Sequence, residues 1–177
     1  VGAPLEHRQA IRDVEISSSG TLVLTAGADH NAQLWNATTG KPLGNPWQHT
    51  DEVVAIALSE DEKIAVTGSL DHTARIWDVA TGTPLGAPLI HDPDVLDVAL
   101  AHNGKTVVTG SRDGSAQVWR IPTGEPQGTP LVHGGAVLAV AMSDNGNLIV
   151  TAGEDDTCRC WDGVTGAPIG FPRPHDH

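Results

Sequence analysis

Short apolar runs separated by polar breaks recur along this chain at a fixed interval. VVAIAL (53–58), VLDVAL (95–100) and VLAVAM (137–142) each follow a histidine, and the more polar IRDVEI (11–16) follows the first one. Short β-branched runs bounded by turn signals predict strands rather than helices. Turns at SSSG, SEDE, AHNG and SDNG close these runs and suit hairpins. A second run comes next: LVLTAG (22–27), IAVTGS (64–69), VVTGS (107–111) and LIVTAG (148–153). An Asp-containing turn then leads to AQLWN, ARIWD, AQVWR or CRCWD. Finally TTG, ATG, PTG or VTG turns the chain into a Pro-rich segment such as TPLGAPLIH (83–91). Proline cannot donate to a ladder, so that segment belongs at a sheet edge. Each unit therefore predicts four short antiparallel strands, edge strand last, and no helix is expected anywhere.

The interval is constant. Trp35, Trp77, Trp119 and Trp161 are 42 residues apart, as are Gly40, Gly82, Gly124 and Gly166, with no insertion between them. A period in the forties signals stacked supersecondary units, none able to bury its own apolar face alone. Residues 1–177 read as one repeat array, with repeats near 7–48, 49–90, 91–132 and 133–174, and residues 1–6 as an extra edge-strand segment. GAPLEH (2–7) matches GAPLIH (86–91), and the chain also ends in such a segment, a layout expected of a piece cut from a longer array.

With a His before the first strand, Thr-Gly-Ser or Thr-Ala-Gly ending the second, Asp in the next turn and Trp-Asp closing the third, the unit resembles the WD40 repeat. The resemblance covers essentially the whole chain. It implies an all-β propeller built from four-stranded antiparallel blades, four per chain. Departures exist. No repeat has Gly before its His, and Asp follows Trp only at Asp78 and Asp162, with Asn36 and Arg120 elsewhere.

Thr, His and Asp in one unit invite comparison with a nucleophile, a base and an orienting carboxylate. The set recurs, however, as His7/Thr25/Asp29/Trp35, His49/Thr67/Asp71/Trp77, His91/Thr109/Asp113/Trp119 and His133/Thr151/Asp155/Trp161. A catalytic centre depends on one asymmetric environment, whereas a stabilising network is needed once per blade. The resemblance implies a structural chain from Trp to Thr to His to Asp. Thr is chosen over the neighbouring column because that column reads Gly27, Ser69, Ser111, Gly153, and Gly has no side chain to bond with.

Other candidate chemistry is thin. Cys158 and Cys160 point to one face of a strand, where a disulfide or half a metal site competes with packing. Packing is the expectation, since the same columns elsewhere hold Ala32, Ala74, Ala116 and Leu34, Ile76, Val118. His30 and His72 read as turn residues, because Gly114 and Asp156 share their column. His175-Asp176-His177 looks like a cluster for nickel, yet His175 is the fifth member of the repeating histidine column. No metal and no cofactor are expected.

Ten basic against 22 acidic side chains give a formal charge of −12, which disfavours nucleic acid and anionic membrane surfaces and favours basic partners. No apolar run reaches the ~20 residues of a membrane span. Few cysteines and no visible leader point to the cytosol, although the chain opens on Val1 rather than Met. With five Trp, one Phe and no Tyr, and with small residues at Ala55, Ala57, Ala65, Ala99, Ala139 and Ala141, wide wedges between blades cannot be filled. Two chains joining in an eight-bladed ring is therefore expected over a four-bladed monomer. Function follows as a non-enzymatic protein-interaction scaffold, with an enzyme site in the propeller channel or a purely structural assembly module as the alternatives. The expected partner face comprises Arg12, Glu52, Asp94 and Ala136 before the first strands, the first of them two steps off register, and Ala28, Leu70, Arg112 and Glu154 ahead of each turn Asp. Acidic Asp51, Glu52, Asp92 and Asp94 suggest a basic segment as its ligand. Trp47, alone among Leu5, Leu89, Leu131 and Arg173, either plugs a blade edge or marks a contact.

Overall fold

The computed structural model describes residues 4–174, so the His175–His177 cluster and the first three residues lie outside the described chain. Among the described residues every regular element is a strand. Blade 1 comprises β1 (Ile11–Ile16), β2 (Leu22–Gly27), β3 (Asn31–Asn36) and β4 (Pro42–Gln48). Blade 2 comprises β5 (Val53–Leu58), β6 (Ile64–Ser69), β7 (Thr73–Asp78), and an edge strand split into β8 (Thr83–Pro84) and β9 (Leu89–Ile90). Blade 3 follows as β10 (Val95–Leu100), β11 (Thr106–Ser111), β12 (Ser115–Arg120) and β13 (Pro126–Val132). Blade 4 is β14 (Val137–Met142), β15 (Leu148–Gly153), β16 (Thr157–Asp162) and β17 (Pro168–Pro174). Strands pair in sequence order, antiparallel, with the Pro-rich strand at the outer edge of each sheet.

Two irregularities repeat in all blades and shape them. Each first strand is bulged near its start, where register slips between Ile11 and Asp13, Val53 and Ala55, Val95 and Asp97, and Val137 and Ala139. The extra residue (Arg12, Val54, Leu96 or Leu138) is left opposite no partner and bends the strand. Each edge segment carries a glycine at positive φ (Gly44 at 70°, Gly86 at 76°, Gly128 at 72°, Gly170 at 76°), a backbone shape that a Cβ would strain. There the edge strand loses register with its neighbour in blades 1, 3 and 4. In blade 2 it breaks into two short pieces, although Leu85 N–H still donates to Ile76 O at 2.8 Å.

The core lies between blades rather than within them. Innermost strands β1, β5, β10 and β14 pack in that order. Leu24, Leu34 and Trp47 of blade 1 meet Val53, Ile56, Leu58 and Trp77 of blade 2. Val66, Ile76 and Leu89 meet Val95, Val98 and Leu100 at the second joint. Val108, Val118 and Leu131 meet Val137, Val140 and Ile149 at the third. Trp47 resolves into a joint plug: its indole stacks on Trp77 with ring centroids 5.3 Å apart and planes 9° off parallel. The resulting body is a run of four propeller blades whose first and last members leave their outward apolar faces exposed.

Candidate interaction site

The polar quartets form because strand pleating puts their members on one face. Val23 pairs with Trp35 across β2 and β3, so the indole shares a face with Thr25, two residues along. Trp Nε1–H donates to Thr Oγ1 at 2.8 Å in blades 1, 3 and 4 and at 2.9 Å in blade 2. The same hydroxyl lies 2.6–2.7 Å from Nε2 of the histidine in each blade. Asp oxygens then lie 3.0, 2.9 and 3.0 Å from Nδ1 of His7, His49 and His133. Because an ionised carboxylate only accepts, Nδ1 carries the proton, Nε2 accepts from the Thr O–H, and the Thr oxygen accepts from the indole. Donors and acceptors thus run in one direction from Trp to Asp.

Blade 3 differs. Asp113 stands 3.9 Å from His91 Nδ1, so its chain stops at the histidine. Burial pushes the His91 imidazole pKa down, opposed by the charge of Asp113. Elsewhere burial pushes the turn carboxylates up, but hydrogen bonds overcome it. Donors from His49, Thr73 and the Thr50 N–H hold Asp71 well below the ordinary range, and the Gly134 N–H, His133 and Thr157 do the same for Asp155. Asp29 is likewise lowered by His7 and the Arg8 N–H, against burial.

Several members of this network escape single-residue reading. Thr73 and Thr157 donate to Asp71 and Asp155 at 2.6 and 2.7 Å. Arg159 donates to Asp155 at 3.0 Å and Arg75 approaches Asp71 at 4.0 Å, whereas Gln33 and Gln117 in the same column donate to backbone carbonyls. The alternation Gln, Arg, Gln, Arg was the available signal. Ser69 Oγ, set aside in favour of Thr67, accepts the Asp71 N–H at 3.0 Å and so helps hold the turn. His30 and His72 take left-handed turn positions with φ of 68° and 69°, where Gly114 and Asp156 also stand.

The expected partner face falls on one rim of the blades. Ala28, Leu70, Arg112 and Glu154 donate their N–H groups to the carbonyls of Ala10, Glu52, Asp94 and Ala136, at 2.8–3.0 Å. This pairing corrects the first position: Ala10 is the counterpart of Glu52, and Arg12 is the bulged residue of β1. Arg12 nonetheless reaches the rim, donating to Glu52 of the next blade at 2.7 Å. A second correction concerns Ala28 and Ala136, which are buried, being single methyls on backbone-bonded turns. Arg112 is paired with Asp94 at 2.7 Å, and Asp51, Asp92 and Glu154 are among the exposed acids of this rim.

Acidic groups also occupy the inner strands. Asp13 accepts the Ile56 N–H at 3.0 Å and Asp97 the Val140 N–H at 2.7 Å, each bridging to the next blade. Burial raises the Asp97 carboxyl above its usual range. Glu15 is pushed up to about 7 by burial, partly offset by the Leu58 N–H and reinforced by Asp13. Among the described residues no three His, Cys, Asp or Glu side chains are placed to hold a metal ion. Cys158 and Cys160 are free thiols.

The family model described as WD domain, G-beta repeat matches residues 4–36, 40–78, 83–120 and 124–162. No match was found among curated proteins.

Proposed function

Because the chain belongs to the WD40-repeat family, we propose that it is a non-enzymatic interaction scaffold whose rim binds a basic segment of a protein partner. The observation that carries this reading is the contrast between frame and rim. Quartet positions repeat in every blade, while the rim positions carry Leu70, Glu52, Asp94, Arg112 and Glu154 on the same backbone pairing. A rigid scaffold presenting dissimilar side chains is the usual arrangement of a recognition surface. Thr67, Thr109 and Thr151 are 0% exposed, so a substrate reaches none of these hydroxyls without opening a blade. That supports a structural quartet over a nucleophilic one.

A fluorescent oligolysine peptide titrated with the protein tests the reading. Raising salt should weaken binding by screening. Asp92→Lys and Glu154→Lys should each weaken it by about tenfold, near 1.4 kcal/mol. Glu60→Lys, an exposed reversal in the β5–β6 turn, should change it little. Equal losses from all three would reveal attraction to the −12 chain as a whole and sink the rim assignment.

A further inference from the structure

We propose that the cleft between blades 1 and 2 is a binding site for an uncharged aromatic compound bearing one hydrogen-bond acceptor, which the Trp47 indole N–H receives. The site is independent of what the rim binds, because it lies at the other end of the strands. Rim residue Leu70 precedes β7, whereas the chain after β7, at 79–83, forms one wall of the cleft. The walls come from these two blades alone and enclose about 630 Å³. A space of that size holds a small organic molecule.

Trp47 sets this joint apart from the other two. Its column holds Leu89 in blade 2 and Leu131 in blade 3, both smaller than an indole. In those joints the edge strand meets the turn of the next blade. A Cβ on Gly86 would stand 3.1 Å from Pro122 O, and one on Gly128 would stand 3.2 Å from Thr165 O. A Cβ on Gly44, the same position in blade 1, would meet nothing within 4 Å. The Trp47 indole, stacked on Trp77, takes more room than a leucine, and the edge of blade 1 stands off the turn.

The indole also leaves a polar group unsatisfied. Trp35, Trp77, Trp119 and Trp161 each donate Nε1–H to a threonine hydroxyl. Trp47 is 3% exposed, and its Nε1–H has no hydrogen-bond partner among the described residues. A buried indole N–H ordinarily finds an acceptor, and an incoming ligand that supplies one removes the penalty of leaving it unpaired. Gly82 keeps the approach open, since a Cβ there would stand 3.2 Å from Nε1. The hydroxyls of Thr81 and Thr83, on the same cleft, already bond each other at 2.8 Å.

The remaining walls decide what carries the acceptor. Leu22, Leu34, Leu43, Pro46 and Val79 are apolar, and no side chain lining the cleft is charged, although the chain as a whole carries −12. An ion would lose its hydration there without a counter-charge, so the ligand is neutral. An indole N–H lies in its ring plane, and that plane runs within 9° of Trp77. An acceptor meeting it enters along the slot between the sheets, a shape that suits a flat ring.

The test is titration of the intact nitrogen-15-labelled chain with 2-acetylnaphthalene, followed by its five indole N–H resonances. The Trp47 resonance should move downfield while the four quartet indoles stay in place. 2-Ethylnaphthalene, which lacks the acceptor, and 2-naphthoate, which is charged, should each bind about tenfold more weakly. Trp47→Phe keeps a flat ring without the N–H and should erase the advantage of ketone over hydrocarbon. Trp47→Leu, the side chain that the other joints use, should abolish binding and leave the β circular dichroism unchanged. Leu43→Gln leaves the stacked indoles in place and puts in the residue that blade 3 carries as Gln127, at a position 38% exposed. It should weaken the ketone by about threefold. A Trp47 resonance unmoved at the solubility limit of the ketone, or Trp47→Leu and Leu43→Gln chains that bind as the native one does, would overturn the proposal. Equal affinity for all three probes would also overturn it, because the cleft would then take any apolar surface, such as a side chain of a partner protein.

Discussion

Replacing Asp71 by alanine removes the acceptor of four donors at once, the His49 Nδ1–H, the Thr73 hydroxyl, the Thr73 N–H and the Thr50 N–H. Leaving the buried His49 donor unpaired, with the half-buried Thr73 groups beside it, should cost about 3 kcal/mol. Asp113→Ala in blade 3 breaks no histidine bond, because the gap there is already 3.9 Å, and should cost under ~1 kcal/mol. Urea midpoints of the two variants check the difference, and equal losses would mean the open link has no energetic meaning. Glu15 behaves oppositely to the quartet carboxylates. Its Oε2 is buried without a hydrogen-bond partner and its pKa is raised to about 7. Below about pH 4 both folded and unfolded chains keep this proton, so the group is neutral to folding. As pH rises towards 7 the unfolded chain ionises first, and the fold loses stability; above 7 the loss is complete. Discounted for the part of the side chain that solvent screens, the loss is about 1–2 kcal/mol. Glu15→Gln should therefore raise Tm at pH 8 and leave it unchanged near pH 4. The quartet columns were visible in the sequence because identity repeats at fixed spacing. Glu15 was not, because its neighbours in that column (Ala57, Ala99, Ala141) carry no polar group to compare.

At the scale of strands and blades, the tightest constraint is the approach of one sheet to the next. A Cβ added at Gly68 would lie 2.9 Å from both Val95 Cγ1 and Val98 Cγ1. The approach is between whole blades, so neither valine can yield without shifting a strand. Gly68→Ala should cost about 1–3 kcal/mol by overpacking, read as a lowered thermal midpoint with unchanged circular dichroism. Blades 1 and 4 carry Ala26 and Ala152 in this column, so the demand is set by the facing blade and not by strand propensity. That distinction explains what could be read beforehand. Strand order, turn positions and the outer place of the Pro-rich strand depend on local residue types, and those are legible one unit at a time. The bulge at Arg12, Val54, Leu96 and Leu138 was not legible, since an ordinary alternating run looks the same with or without one extra residue. The first rim position has a different cause: Arg12 stands two residues off the 42-residue register, and the backbone pairing puts Ala10 in its place.

For the molecule as a whole, stability is held in the joints between blades, because each sheet buries its apolar residues against its neighbour. Leu131 plugs the joint between blades 3 and 4 at 0% exposure. Leu131→Ala should cost about 2–5 kcal/mol, read as a lowered urea midpoint with unchanged β circular dichroism. Salt separates this apolar contribution from rim binding. The loss should persist at high ionic strength, where oligolysine binding at the rim fades. Urea curves of both proteins at low and high salt, beside the peptide titration, read both effects. A loss that shrinks as salt rises would mean that charge, and not apolar burial, holds the joint.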